Sequence, residues 1–204
     1  FPTGGHTLVQ CVTYSGHSPF IIPEESKRIS FSDKLPERLR NYMVVANYTD
    51  YAIGQFITFL RSQKKFENTM IVITGDHEGF GLTRKPLYEH ALGKDIISPE
   101  RFTPLIVLNS PVHLRYEKVM GQVDLYPTLL DLLGADDYPW RGLGESILSS
   151  GKKAFAISPQ MEIIGDTVGV STAEIQHAKD AWRVSDLIIS CDYFAHGRTG
   201  DKKR

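Results

Sequence analysis

The sequence is poor in several features that would point to common classes of protein. Only two of its 204 residues are cysteine, Cys11 and Cys191, too few for a disulfide framework or a thiolate metal cluster. They would suit a reducing compartment as well as a paired state. No apolar run approaches the roughly 18 residues that a membrane-spanning helix needs, and no basic segment leads into an apolar one at the N-terminus as in a secretion signal. Charge of one sign is also lacking, because 23 Lys and Arg against 24 Asp and Glu leave a net charge of -1. That balance gives no electrostatic ground for a nucleic-acid partner or an anionic membrane, although a small anion needs only a local cluster. Phosphate-binding glycine loops of the mononucleotide and dinucleotide kinds, the Gly-x-Ser-x-Gly elbow and the His-Glu-x-x-His zinc helix are all missing. Nothing repeats and nothing is of low complexity.

What remains is an ordinary soluble composition, 41% apolar and 23% charged, in a chain long enough to bury a sizeable core as one domain. The first residues, Phe-Pro-Thr-Gly-Gly, carry no initiator Met and read as a piece of something longer.

Apolar and β-branched residues over 7–14 predict a buried strand, broken by the loop Ser15-Gly16-His17-Ser18-Pro19-Phe20. Residues 21–37, with Pro23 and Pro36, read as a surface connection. A helix is expected over 39–62, because Val45, Tyr48, Ala52, Phe56, Phe59 and Leu60 recur at helical spacing. Residues 69–74 form a short apolar strand of the kind buried in a parallel sheet, and 80–100 is irregular. A further strand covers 103–108, and a helix runs from Gln122 to Leu133, stopped by Gly134. Residues 154–158 read as a strand. Ser171 and Glu174 make a capping box for a helix to about Ser185, with 187–190 extended and the tail from His196 frayed. Alternating strands and helices predict a layered α/β/α fold with a mostly parallel sheet. It is read as one domain over 1–204, with the core motifs in 7–150 and an extension of strand and helix in 151–195.

Asp76 and His77 stand directly after the strand 69–74, flanked by Gly75 and Gly79. Ligands of open α/β sheets gather beyond the carboxyl ends of strands. A carboxylate oxygen beside an imidazole nitrogen suits manganese or zinc and argues against calcium alone. The bland reading has Asp76 capping a turn and His77 on the surface, and two donors are too few for a complete site. His17, in its loop, is placed to donate a hydrogen bond to a phosphoryl or sulfuryl oxygen; a structural histidine is the competing reading. Arg84 and Lys85 follow the Asp-His pair and are candidates to meet an anion, although such a pair is more often solvated. Asp50 reads as a solvated helical acid and Asp124 as the cap of the helix it precedes. His6, His90, His113, His177 and His196 show no linking pattern, and His90 follows the motif loop.

The order of these elements resembles the alkaline phosphatase/sulfatase superfamily. The segment Tyr48–Ile57 is similar to the helix before the metal motif, Asn68–His77 to the motif itself, Phe102–Val107 to the next strand, and Gln122–Gly134 to the helix that closes the core. Val12-Thr13-Tyr14-Ser15-Gly16-His17-Ser18-Pro19-Phe20 resembles the Thr-Met-Ser-x-His-x-Pro-Phe stretch of lipoteichoic-acid-synthase-like phosphoglycerol transferases, with Tyr14 where Met is usual.

The resemblance implies that Asp76 and His77 are metal ligands, Mn2+ being favoured over Mg2+, Ca2+ or Zn2+, and that His17 contacts the substrate phosphate. It places a Glu ligand and a Thr nucleophile upstream, so no catalytic nucleophile is expected within 1–204. The reaction would transfer a phosphodiester group through a covalent phospho-threonine. The partner would be a small anionic substrate, a phosphoglycerol lipid or a sulfate or phosphate ester. The whole protein would be extracytoplasmic and held to the membrane by an upstream segment. An unpaired sheet edge would permit an edge-to-edge dimer. A formylglycine sulfatase is the nearest alternative, and a catalytically dead envelope-binding relative is another.

Overall fold

In the computed structural model, the structure describes residues 5–64, 66–77, 79, 102–135, 137–140 and 142–197. The chain divides into two compact units, residues 1–109 and 110–204.

The first unit is organised by the helix α1, Glu37–Arg61, which starts directly after Pro36. Proline cannot continue a helix backwards, so it sets this boundary. Glu37 in the first turn and Arg61 in the last complement the helix dipole. The helix buries Leu39, Val44 and Val45. Val44 and Val45 pack with Phe20 and Ile22 from the preceding segment, and Tyr42 and Tyr48 close over this core. The expected apolar stripe is therefore used only in its first half, since Phe56 and Phe59 are more than half exposed.

The strands β1, Ile71–Thr74, and β2, Leu105–Leu108, pair antiparallel with Ile71 opposite Leu108 and Thr74 opposite Leu105. Asn109 ends β2 in a left-handed conformation, φ 56°, which asparagine tolerates better than most residues. Its side-chain amide donates to Phe66 O at 2.8 Å and Thr69 O at 3.0 Å, tying the exit of β2 to the entry of β1.

In the second unit a 3-10 turn, Gln122–Asp124, leads into α2, Leu125–Leu132. Gly134 at φ 67° closes that helix, and Ala135 N donates back to Leu130 O. β3, Phe155–Ile157, and β4, Ile163–Gly165, form an antiparallel hairpin. Ser158 closes its turn by accepting from Gln160 N and Glu162 N. The helix α3, Thr172–Ser190, begins with the expected capping box: Ser171 Oγ accepts from Glu174 N, and Glu174 Oε2 accepts from Ser171 N. Trp182 Nε1 donates to Ile157 O and holds α3 on β3. A short helix, α4, covers Tyr193–Gly197.

The fold is α/β, with three departures from the reading by pattern. Both sheets among the described residues are two-stranded and antiparallel, with no parallel pairing. Residues 7–14 form no strand: Leu8 and Val12 are more than four-fifths exposed, and among the described residues no strand pairs with them. Residues 187–190 continue α3 instead of extending, because adding residues to an existing helix is far easier than nucleating a new element. β4 had no sequence expectation at all.

Candidate functional site

Asp76 and His77 lie where the sequence places them, two and three residues past the end of β1. The fixed strand direction and the glycine before them aim both side chains outward. Asp76 Oδ1 accepts from the backbone N of His77 at 3.0 Å, which orients the carboxylate. Its Oδ2 lies 3.7 Å from His77 Nε2, and the two side chains are 87% and 68% exposed, respectively. An oxygen and a ring nitrogen at this separation can turn toward one small cation. Gly75 seats the loop on the segment that leads into β2, its missing Cβ leaving room for Thr103.

His17 sits in the turn over 14–20. His17 N donates to Tyr14 O, and Phe20 N donates to His17 O. The imidazole is exposed and lies near-parallel to the Tyr14 ring, centroids 6.2 Å apart. Its Nδ1 is 2.7 Å from Ser18 O, a partner that can only accept a hydrogen bond from Nδ1–H and so leaves Nε2 as the acceptor in the neutral ring. The Ser18-Pro19 peptide is cis.

Both loops rest on one side chain. Phe20, at the end of the His17 turn, meets the ring of Tyr42 edge-on at 5.3 Å. Gly79, at the end of the Asp-His loop, lies so near Tyr42 that a Cβ there would overlap the phenol. Tyr42 thus links the His17 turn to the Asp76-His77 loop, both in the first unit. Arg84 and Lys85, and also His90, lie outside the described residues. Asp50 is an exposed residue of α1, as the pattern suggested.

Asp124 differs from its expected role. It precedes α2, but its side chain caps no helical N–H of α2. Instead Oδ2 accepts from Gly121 N and Lys152 Nζ at 2.8 and 3.0 Å, and Oδ1 accepts from Glu145 N at 2.9 Å. The backbone of Asp124 takes the Thr128 hydroxyl at 2.7 Å. Burial, then the charges of Asp124 and Glu145, push the Tyr116 phenol above its ordinary pKa. This cluster is structural and belongs to the second unit.

An implied divalent metal is compatible with the donors present. One hard carboxylate oxygen and one imidazole nitrogen, adjacent and solvent-facing, form part of a coordination shell. Among the described residues no group of three such donors gathers, so further ligands have to come from elsewhere.

A chain with these elements in this order matches the sulfatase family model over residues 3–135. The chain belongs to the sulfatase family. It is 32% identical over 155 residues to the lipoteichoic acid synthase-like YvgJ of Bacillus subtilis (strain 168), covering 72% of this chain and 25% of that protein. It is 30% identical over 146 residues to lipoteichoic acid synthase of Staphylococcus aureus (strain USA300), covering 69% of this chain and 22% of that protein. The chain therefore spans about a quarter of the length of these relatives.

Proposed function

We propose that this chain supplies part of the active site of a metal-dependent phosphoglycerol transferase of the cell envelope. The observation that carries the reading is the paired Asp76 carboxylate and His77 imidazole beyond β1, packed through Tyr42 to the turn that bears His17. The similarity to lipoteichoic acid synthases gives the reaction class.

In this reading Asp76 Oδ2 and His77 Nε2 hold the ion, and Asp76 Oδ1 keeps the loop in shape through the His77 N–H. The bound ion, Mn2+ by preference, would supply Lewis-acid stabilisation of phosphoryl oxygens. His17 donates to a substrate phosphate oxygen, which needs its ring protonated at Nε2. With Nδ1 held against the Ser18 carbonyl, that state is the imidazolium. The substrate class is a phosphodiester with a glycerol phosphate group, and the working side is the outer face of the membrane. Among the described residues no helix is long and apolar enough to cross a membrane. The sulfatase family model keeps sulfate esters as the competing substrate class.

The test is ligand binding by the 204-residue chain, followed by phosphorus NMR with glycerol phosphate and Mn2+. Metal-dependent binding that His17→Ala weakens supports the reading. Equal binding by His17→Ala removes His17 from the site, and displacement by sulfate esters in preference to phosphodiesters would favour the competing substrate. Assayed alone, residues 1–204 should turn over no phosphodiester, since the family resemblance places the nucleophile and a third ligand upstream.

A further inference from the structure

We propose that Tyr42 is a positioning residue for this site: its ring on α1 is the common support of the turn that carries His17 and the loop that carries Asp76 and His77.

Two independent contacts lead to Tyr42. From one side comes Phe20, the residue that ends the His17 turn. Phe20 adopts φ 64°, in the left-handed region, which is strained for a residue with a Cβ. Something must hold it there. Phe20 is only 5% exposed, and burial of a phenylalanine side chain offsets that strain. The Tyr42 ring forms the edge-on wall of the pocket at 5.3 Å, and the Arg38 guanidinium covers Phe20 at 5.4 Å. Phe20 N in turn donates to His17 O and His17 N to Tyr14 O, so the seat of the Phe20 ring fixes the turn from which the imidazole projects.

From the other side comes Gly79. A Cβ at this position would stand inside contact distance of the Tyr42 Oη, Cζ and Cε2. Any side chain at 79 would have to push either the loop or the ring away, so glycine is what permits the approach. Asp76 and His77 lie on the same short loop, between β1 and this contact. Tyr42 itself has little freedom, being packed on the core of Phe20, Ile22, Val44 and Val45. A rigid helix face then sets the spacing of two loops that are far apart in sequence. Sub-ångström placement of this kind matters wherever separate groups must converge on one phosphate.

The role rests on the functional reading of His17, Asp76 and His77, but loop position can be measured with neither metal nor substrate. The experiment is NMR of the imidazole signals of His17 and His77 in the full 204-residue chain at one fixed pH. Four variants are compared. Tyr42→Leu removes the ring, Tyr42→Phe keeps it, and Gly79→Ala pushes against it from an exposed loop. Tyr48→Leu thins the same core while keeping the Tyr42 ring.

The expected result is that Tyr42→Leu and Gly79→Ala each shift the signals of both histidines, while Tyr42→Phe and Tyr48→Leu leave both in place. The decisive variant is Gly79→Ala, which retains the ring and the core and meets Tyr42 directly, with Tyr42 and Phe20 as its path to His17. A shift of His77 alone in that variant would overturn the proposal, as would equal shifts of both histidines in Tyr48→Leu.

Discussion

Asp76 and Asp124 are both acids at the ends of apolar elements, and they have opposite fates. The Asp124 carboxylate is 5% exposed and every contact it makes is internal: two backbone N–H groups and the buried ammonium of Lys152. Asp76 is 87% exposed and keeps one oxygen turned toward an imidazole. A carboxylate enclosed by donors holds its surroundings together and has nothing left to offer a ligand. One at a strand end with most of its surface in water keeps its carboxylate accessible from solvent. The comparison shows why local sequence, an Asp beside an apolar run in both cases, does not by itself separate a fastening from a site.

The largest effect that would test this contrast belongs to Asp124. Asp124→Ala leaves the Lys152 ammonium buried without its counter-charge, and breaking such a pair costs about 3–5 kcal/mol. Chemical denaturation should show that loss, whereas a change below about 1 kcal/mol would mean that the cluster relaxes or floods with water. Thr128→Val comes next. Thr128 is 2% exposed, and its hydroxyl donates to Asp124 O and accepts from Ile147 N. Leaving those two groups unpaired should cost about 1–3 kcal/mol, read from the same denaturation curves.

Ser171→Ala removes the cap of α3 and should cost about 1 kcal/mol. This cap has a pH signature. Hydrogen bonds from the Ser171 backbone and then its hydroxyl hold the Glu174 carboxyl below its ordinary value of 4.5. A depressed folded-state pKa gives stability that is present above 4.5 and lost as pH falls through the folded value. Circular dichroism should therefore show α3 weakening on acidification below that point, and Ser171→Ala should lose the hydroxyl's share of this acid sensitivity while the backbone N–H keeps the larger one. Smallest of all is the stability change for Asp76→Ala, within about 0.5 kcal/mol, as for an exposed position away from the core. A large loss there would make Asp76 a second fastening.

Much of the local structure was legible in the sequence, and the reason is range. The Ser171–Glu174 box spans four residues and needs no partner. The stop at Gly134 follows from backbone geometry, and the helix read over 39–62 is α1, which begins two residues earlier, at Glu37. The two strands after 69 and 103 are short apolar runs bounded by turns. Residues 7–14 have the composition of a strand, but a strand exists only against a neighbour, and pattern says nothing of who that neighbour is. The run 187–190 is too short for periodicity to tell helix from strand. His17, Asp76 and His77 stood out because their residue types and neighbours form a recognisable order. Lys152 could not be assigned to Asp124, because the 27 residues between them carry no trace of the pairing. Tyr42 was hidden for a different reason. An aromatic residue on a helix face reads as core, and only coordinates reveal that two distant loops lean on it.

The central claim is that the exposed acid and imidazole after β1 bind a divalent metal while the buried acid does not. The direct measurement is a calorimetric Mn2+ titration of the full-length catalytic domain and of its variant carrying both Asp76→Ala and His77→Ala. The account predicts that the variant loses affinity by more than about tenfold, since even partners outside the first coordination shell are worth 10–100-fold. Unchanged Mn2+ affinity in that variant would show the Asp-His loop to be structural and would contradict the account.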